Sequence, residues 1–287
     1  MSKSLIDAGF SIKESCACMD LPRSAYYRQG APVVRRERIH APDEALIVEK
    51  IKSIKLEHPF WGYRRVHAWL KNRDKIVVNI KRIRRMMKEH NLMASETVHR
   101  AKRTPQRSKP KATRPGQIWG IDMTKFMVPS VGWVYLVLVL DWYTKKVVGW
   151  DISLRSRTRE WKAALDMAIN REFPDGVRGK GMKLVSDNGC QPTSKAFMND
   201  MAVLGVEQIF TSYNNPKGNA DTERMMRTVK EEVIWLNEFE SVMESADVIG
   251  RWFEDDYNRL YVHSALGYRS PEEFKEEYYS SRLKLAA

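Results

Sequence analysis

Cysteine is scarce in this chain. Cys16, Cys18 and Cys190 are the three present among 287 residues. So few thiols build no disulfide framework and point to a reducing compartment, the cytoplasm. The Cys16–Cys18 pair has no histidine at zinc-ligand spacing, and His40, His58, His67, His90 and His99 pair with no suitably spaced cysteine, which excludes a His/Cys zinc module. Long apolar runs are missing as well. Trp133–Leu140 falls far short of the roughly 20 residues that cross a bilayer, and no secretory signal opens the chain. The expectation is a soluble protein with no membrane partner.

Lys and Arg number 49 against 36 Asp and Glu, a formal net charge of +13. That excess favours a polyanionic partner, most simply nucleic acid. Hydrophobic residues at 43% and charged residues at 30% describe an ordinary globular composition, and the length suits about two domains with their own cores.

Along the chain, Ser11–Met19 reads as a short helix, Asp20-Leu21-Pro22-Arg23 as a break, and Ser24 as the cap of a second short helix, Ala25–Arg28. This segment, 1–38, is helix-turn-helix-like. The next, 39–99, holds three helices: Glu44–Glu57 with Ile47, Ile51 and Ile54 inward, Tyr63–Lys71, and Ile80–His90 capped by Asn79. The last turns Ile80, Ile83, Met86 and Met87 inward and leaves Lys81, Arg82, Arg84, Arg85 and Lys88 outward. A basic helix ending a three-helix unit suits a DNA groove, with phosphate contacts carrying much of the affinity; a solvated cationic face is the plainer alternative. Residues 100–116 follow as a linker. Arg100–Arg114 carries seven Lys or Arg, two prolines and no acid, so it is too polar to fold alone and able to track a phosphate backbone.

From Gln117 the pattern turns to strands: Ile118–Val128, the doubly buried run Trp133–Leu140, and Val147–Ser153, an antiparallel meander. Helix Thr158–Phe173, strand Lys183–Ser186, helix Thr193–Leu204 and strand Val206–Thr211 follow. A turn-rich loop, Asn214–Gly218, then leads into a helix reaching Glu232 that Asn219 or Asp221 can cap. The fold class is α/β, a mixed five-stranded sheet with flanking helices across 117–240, preceded by the all-α modules. A helical tail, 241–287, includes the capping-box start Ser270-Pro271-Glu272-Glu273.

Three carboxylates stand out. Asp122 lies inside the first strand, with small Gly120 and Thr124 leaving room on its face. Asp187 follows the fourth strand in Ser186-Asp187-Asn188-Gly189. Glu223 shares a helix face with Arg227 and Lys230, beside an apolar face of Met225, Met226, Val229, Val233 and Leu236. If the first and fourth strands run side by side and parallel, Asp122 and Asp187 meet at one sheet edge. Carboxylates gathered there repel unless divalent cations neutralise them, and hard oxygen ligands suit Mg²⁺. The alternatives are turn chemistry at Asp187, a satisfied strand-edge Asp122, and an i,i+4 pair between Glu223 and Arg227.

Thirty-five residues separate Asp187 from Glu223, and Lys230 follows seven positions later. This resembles the DDE motif of retroviral integrases and their bacterial relatives. Tyr63-Arg64-Arg65-Val66-His67, the Asn79–Leu92 segment, Trp119–Thr124, Leu140–Trp150, Ser186–Ser194, His263–Leu266 and Ser270-Pro271 extend the resemblance to the catalytic OrfB subunit of insertion-sequence transposases. It implies a ribonuclease-H-like core, with Asp122, Asp187 and Glu223 as catalytic residues holding two Mg²⁺ or Mn²⁺ ions. The chemistry implied is nicking of double-stranded DNA at terminal inverted repeats, then 3′-hydroxyl attack on target DNA. Further implied are DNA contacts from Lys230, Arg227, Lys217, Arg64 and Arg65, a first-reading-frame partner protein or a fusion with it, and a homo-oligomer on DNA in the bacterial nucleoid. Cys190 and Pro192 depart from the usual Ser and Tyr, and Leu260-Tyr261 from a frequent Arg-Pro. Two other readings stand beside this one, a catalytically silent DNA-binding derivative and a ribonuclease-H-like nuclease that does not join.

Overall fold

The computed structural model describes residues 2–20, 22–23, 44–94, 110–211 and 218–286. The chain forms two compact units, Met1–Leu46 and Ile47–Ala287. In the first, α1 (Ser2–Asp7) precedes α2 (Ile12–Cys18). Ser11 and Glu14 close a reciprocal capping box on α2, as Glu14 N donates to Ser11 Oγ (3.3 Å) and Ser11 N to Glu14 Oε2 (3.0 Å). The second short helix read from the sequence, Ala25–Arg28, lies outside the described residues, as do 100–109 of the basic stretch.

The larger unit opens inside α3 (Glu44–Glu57), at Ile47, and continues with α4 (Tyr63–Asn72) and α5 (Ile80–Glu89). Ile47, Ile51 and Ile54 are buried, as are Ile83, Met86 and Met87 of α5, while Ile80 stays half-exposed at the first turn. Asn79 caps α5 by accepting from Lys81 N at 2.9 Å.

The sheet comprises β1 (Ile118–Val128), β2 (Gly132–Asp141), β3 (Val147–Ser153), β4 (Lys183–Ser186) and β5 (Glu207–Phe210), in the order β3-β2-β1-β4-β5. β1, β2 and β3 form the antiparallel meander, and β4 and β5 run parallel to β1. This is the ribonuclease-H-like arrangement. Strand alternation divides the core between its two faces. Trp119, Ile121, Val137 and Val139 point toward α6 (Thr158–Glu172) and α7 (Lys195–Leu204), packing with Trp161, Leu165 and Phe197. Ile118, Phe126, Leu136, Leu138 and Leu140 point the other way, toward α8 (Ala220–Glu232) and the C-terminal elements. The uninterrupted apolar run of β2 is thus buried on both faces.

The tail holds α9 (Val242–Arg251), a π-helical turn at Trp252–Tyr257 and α10 (Pro271–Ala286). The Ser270–Glu273 capping box forms, with Ser270 N donating to Glu273 Oε2 at 2.8 Å and Glu273 N to Ser270 Oγ at 3.3 Å. Asn258, fully buried, takes the Val147 N–H at 3.0 Å and gives its own amide to the Val147 carbonyl at 2.9 Å, so the tail is bonded to the start of β3. The stretch just before β1 is bound as well. Thr113 N donates to Gln117 Oε1 (2.7 Å), and Gly116 N to the buried Asp141 carboxylate (2.7 Å). Among the described residues no helix is long and apolar enough to cross a membrane.

One buried carboxylate joins the three N-terminal helices to the sheet. Glu232 closes α8, and its side chain is 2% exposed. It accepts from Trp61 Nε1 at 2.8 Å and lies 2.9 Å from His58 Nδ1, with the Tyr261 hydroxyl at 3.4 Å and the Arg65 guanidinium at 3.9 Å. His58 stacks flat on Trp61, with ring centroids 3.9 Å apart. The residues satisfying Glu232 come from the α3–α4 turn, α4 and the tail. Glu232→Ala would leave a buried indole N–H without its acceptor and a half-buried guanidinium without its counter-charge, a loss of about 3–5 kcal/mol in unfolding free energy. Glu232→Gln keeps one acceptor and should lose less; urea denaturation of both variants checks the order.

Candidate active site

Asp122 sits on the β1 face that α8 covers. What brings the helix close is Gly120, two residues earlier on the same face. A Cβ there would lie 2.0 Å from Thr222 Oγ1 and 2.4 Å from Trp142 Nε1, so a side chain at this position would displace the helix. Thr222 is fully buried and takes the Trp142 indole N–H at 3.0 Å, and Asp221 pairs with Lys145 at 2.9 Å. These bonds latch the first turn of α8 to the β2–β3 connection and set the direction of Glu223. The space that the sequence places beside Asp122 at Gly120 is filled by this helix.

The expected cap of α8 is not formed. Asn219 occupies the N-cap position, but its side chain makes no capping bond; the buried Oδ1 has no partner among the described residues. The physical reason is the close approach at Gly120, where that oxygen lies 3.1 Å from an ideal Cβ. The amide is turned toward the sheet, away from the helix N–H groups. Asp221, the other candidate, points to Lys145.

β1 and β4 pair in parallel register, with Gly120 opposite Val185. Two residues further along that register stand Asp122 and Asp187, so both carboxylates leave the sheet at one edge. Asp187 is exposed, and its Oδ1 accepts from Gly189 N at 3.1 Å. Asn188 donates to the Thr211 carbonyl at 2.6 Å, tying this turn to the end of β5. The turn chemistry anticipated at Asp187 is therefore present and holds the carboxylate in place.

Electrostatics gather the rest. The Asp122 carboxyl is raised from the ordinary aspartate value of 3.8 to about 6; burial is the largest cause, the charges of Asp187 and Glu223 add to it, and the Met123 N–H and Lys230 oppose it. Burial also raises Glu223. A cleft of about 500 Å³ is lined by Asp122, Thr124, Glu223, Arg227, Lys230 and the exposed Trp235. Among the described residues no three His, Cys, Asp or Glu side chains close to metal-ligand spacing. The donor chemistry nonetheless fits a divalent cation. It is all hard carboxylate oxygen, and the mutual repulsion at Asp122 is what such a charge would relieve.

The cationic residues divide by environment. Lys230 is half-buried next to Asp122. Arg227 is exposed and pairs with Glu231 at 2.7 Å, so the i,i+4 partner weighed for Glu223 bonds in the other direction. On α5, Lys81, Arg84 and Lys88 are exposed, Arg82 and Arg85 half-buried, and Arg85 lies 3.9 Å from Glu89. Arg64 and Arg84 both cover the Tyr63 ring, at 5.1 and 5.4 Å. Arg65 turns inward to the Tyr261 hydroxyl (2.7 Å) and Glu232, a post in the fold. Lys217 lies outside the described residues. Leu236, placed on the apolar face of α8 by periodicity, is 43% exposed because the helix ends at Glu232 and a 3₁₀ turn, Ile234–Leu236, redirects the chain. The residue that sequence reading passed over is Glu232. Its signal is a lone carboxylate at i+7 from Met225 and i+3 from Val229, within the buried stripe.

Family models match in three places: an HTH-like domain over residues 41–102 and an integrase core domain over 112–216 and 204–271. The transposase for insertion sequence element IS904 of Lactococcus lactis subsp. lactis (strain IL1403) is 30% identical over 254 residues, covering 84% of this chain and 98% of that protein. The putative transposase InsK for IS150 of Escherichia coli (strain K12) is 28% identical over 287 residues, with 96% of each chain covered. Among solved structures, the catalytic core domain of BIV integrase aligns with a TM-score of 0.42 at 17% identity, over 58% of this chain and 99% of that one.

A carboxyl with a raised folded-state pKa binds its proton more tightly when folded. Its stabilising contribution is complete below the unfolded value and is lost as pH rises through the folded value. Metal-free protein should thus lose up to about 3 kcal/mol at Asp122 as pH climbs from about 4 to above about 6. Asp122→Asn should flatten that part of a stability profile measured by denaturant titration across this range.

Proposed function

The chain belongs to the transposases of bacterial insertion sequences, and on that premise we propose that it nicks double-stranded DNA at an element's terminal inverted repeats and joins the freed 3′ ends to target DNA. The observation that carries this reading is the convergence on Asp122. Charges from the end of β4 and from α8 act on the half-buried carboxyl of β1, with Lys230 as the opposing cation. A purely DNA-binding protein has no use for two carboxylates that raise the proton affinity of a third beside an open cleft.

Asp122, Asp187 and Glu223 would hold two Mg²⁺ or Mn²⁺ ions. When bound, such ions activate an attacking oxygen and stabilise the leaving one in phosphodiester exchange. Asp122 on the central strand is the fixed point of the set. Asp187 is steadied by the Gly189 N–H, and Glu223 by the latched first turn of α8. Lys230 lies where it can meet a phosphate oxygen beside Asp122, and Arg227 extends the positive edge of the same cleft. In the first step water displaces the 3′ oxygen at the element's end. In the second that 3′-hydroxyl displaces an oxygen of a target phosphodiester. One bond forms and one breaks in each, with no covalent link to the protein.

Lys81, Arg84 and Lys88 on the outer face of α5 supply phosphate contacts that hold the repeat. Joining two ends at one target requires more than one copy on the DNA, and a first-reading-frame protein, or a fusion with it, would complete recognition of the repeats.

The deciding experiment incubates terminal-repeat duplex and target DNA with Mg²⁺, with wild type and Glu223→Gln side by side. Wild type should nick and join. Glu223→Gln should bind the repeat within about twofold of wild type and lose at least about 10²-fold in both steps. Nicking without joining would favour a nuclease. Replacing Lys81, Arg84 and Lys88 by Ala should weaken repeat binding and lower the slope of log K against log salt by about 0.9 for each phosphate no longer neutralised, read by fluorescence anisotropy at several salt concentrations. An unchanged slope would take α5 off the DNA.

A further inference from the structure

A second groove, of about 590 Å³, opens on the other flank of Glu223, between α8 and the turn joining α3 to α4. Phe60, Arg65, Glu223, Arg224, Arg227 and Tyr261 line it. Two of these side chains have no task in the fold. Phe60 is 42% exposed although its neighbour Trp61 is completely buried. Arg224 is exposed and forms no ion pair among the described residues, whereas Arg65 is held by Tyr261 and Glu232, and Arg227 by Glu231.

The exposed ring is held from behind. Lys55 Nζ donates to the carbonyls of Pro59 and, at 3.1 Å, of Trp61, clamping the residues on either side of Phe60. Trp61 is itself anchored on Glu232. Phe60 is thus a preorganised aromatic plate at the lip of a groove whose wall carries an exposed guanidinium, one residue from Glu223. An aromatic face with a nearby cation is the chemistry of single-stranded nucleic acid recognition, in which a base stacks while its phosphate is neutralised. A base pair inside a duplex offers its edges to a protein, not its face. A groove of this volume accepts a group of nucleotide size and excludes a double helix.

We propose that this groove holds an unpaired nucleotide of the DNA end being processed, its base stacked on Phe60 and its phosphate against Arg224. The proposal rests on the DNA-processing reading above and adds to it a preference for frayed ends. Separating the last base pairs would draw one strand into this groove and leave the other free to enter the cleft at Asp122, with Glu223 on the wall between them.

The test measures binding without divalent metal, so that no cleavage intervenes. Two terminal-repeat duplexes are compared, one fully paired and one with two mismatched terminal pairs carrying 2-aminopurine at the unpaired position. Wild type should prefer the frayed duplex by about tenfold, the scale of one stacked base, and should quench the 2-aminopurine fluorescence. Phe60→Ala should lose the quenching and bring the preference to within about twofold of parity. Phe60→Trp should retain both, and Arg224→Ala should reduce the preference while keeping the quenching. Equal binding of the two duplexes by wild type, or an unchanged preference in Phe60→Ala, would overturn the groove assignment and leave the transposase reading intact. Failure of wild type to bind either duplex would overturn both.

Discussion

Glu232 is the constraint on which the larger unit depends. A carboxylate with a 2% exposed side chain is tolerable only if donors surround it, and here they are drawn from the α3–α4 turn, α4 and the tail. Because Glu232 closes the same helix that carries Glu223, nine residues and two and a half turns earlier, the helices that suit DNA and the carboxylate that suits catalysis share one rigid rod. The hydrophobic packing around it continues without a break from Ile51 and Ile83 to Leu138 and Phe253, so the polar knot sits inside a common core.

At its other end the rod is placed by the absence of a side chain. Gly120 lets Thr222 and Trp142 meet over β1, and Lys145 holds Asp221. Asn219 loses its capping role in consequence. Helix N–H groups normally prefer such a cap, so the fold gives up a local stabilisation to bring Glu223 toward the strand carrying Asp122. The elevated Asp122 carboxyl has the same origin, since burial and two like charges act together on it. Local preferences yield at this one place, where the chemistry is proposed, and hold elsewhere, as in the Asn79, Ser11 and Ser270 caps.

Much of the fold was legible in advance. The five strands fall where period-two alternation and the doubly apolar run of β2 put them, with ends shifted by a residue or two at β2 and β5. α3, β1, β3 and β4 match the residues read from periodicity alone. The parallel pairing of β1 and β4, a condition in the sequence reading, is present and runs to Gly120 and Val185, two residues before Asp122 and Asp187. Two readings failed for nonlocal reasons. The Asn219 cap was lost to tertiary approach, and Leu236 was exposed by a change of helix type. Arg65 in turn gained a partner in Tyr261, 196 positions away. No window of local sequence contains those partners.

The sequence by itself determined the alternation of strands and helices, the basic excess, and the Asp122, Asp187, Glu223 and Lys230 spacing on which the resemblance was read, because these depend on residue type and short-range period. Tertiary structure decided which side chains meet. It chose Glu231 over Glu223 for Arg227, bonded Arg65 to Tyr261, left Arg224 in a groove, and made Glu232 the joint between the helices and the sheet. The reason is that a charge takes its role from the burial and partners it acquires, and those arise only when segments distant in the chain are packed together.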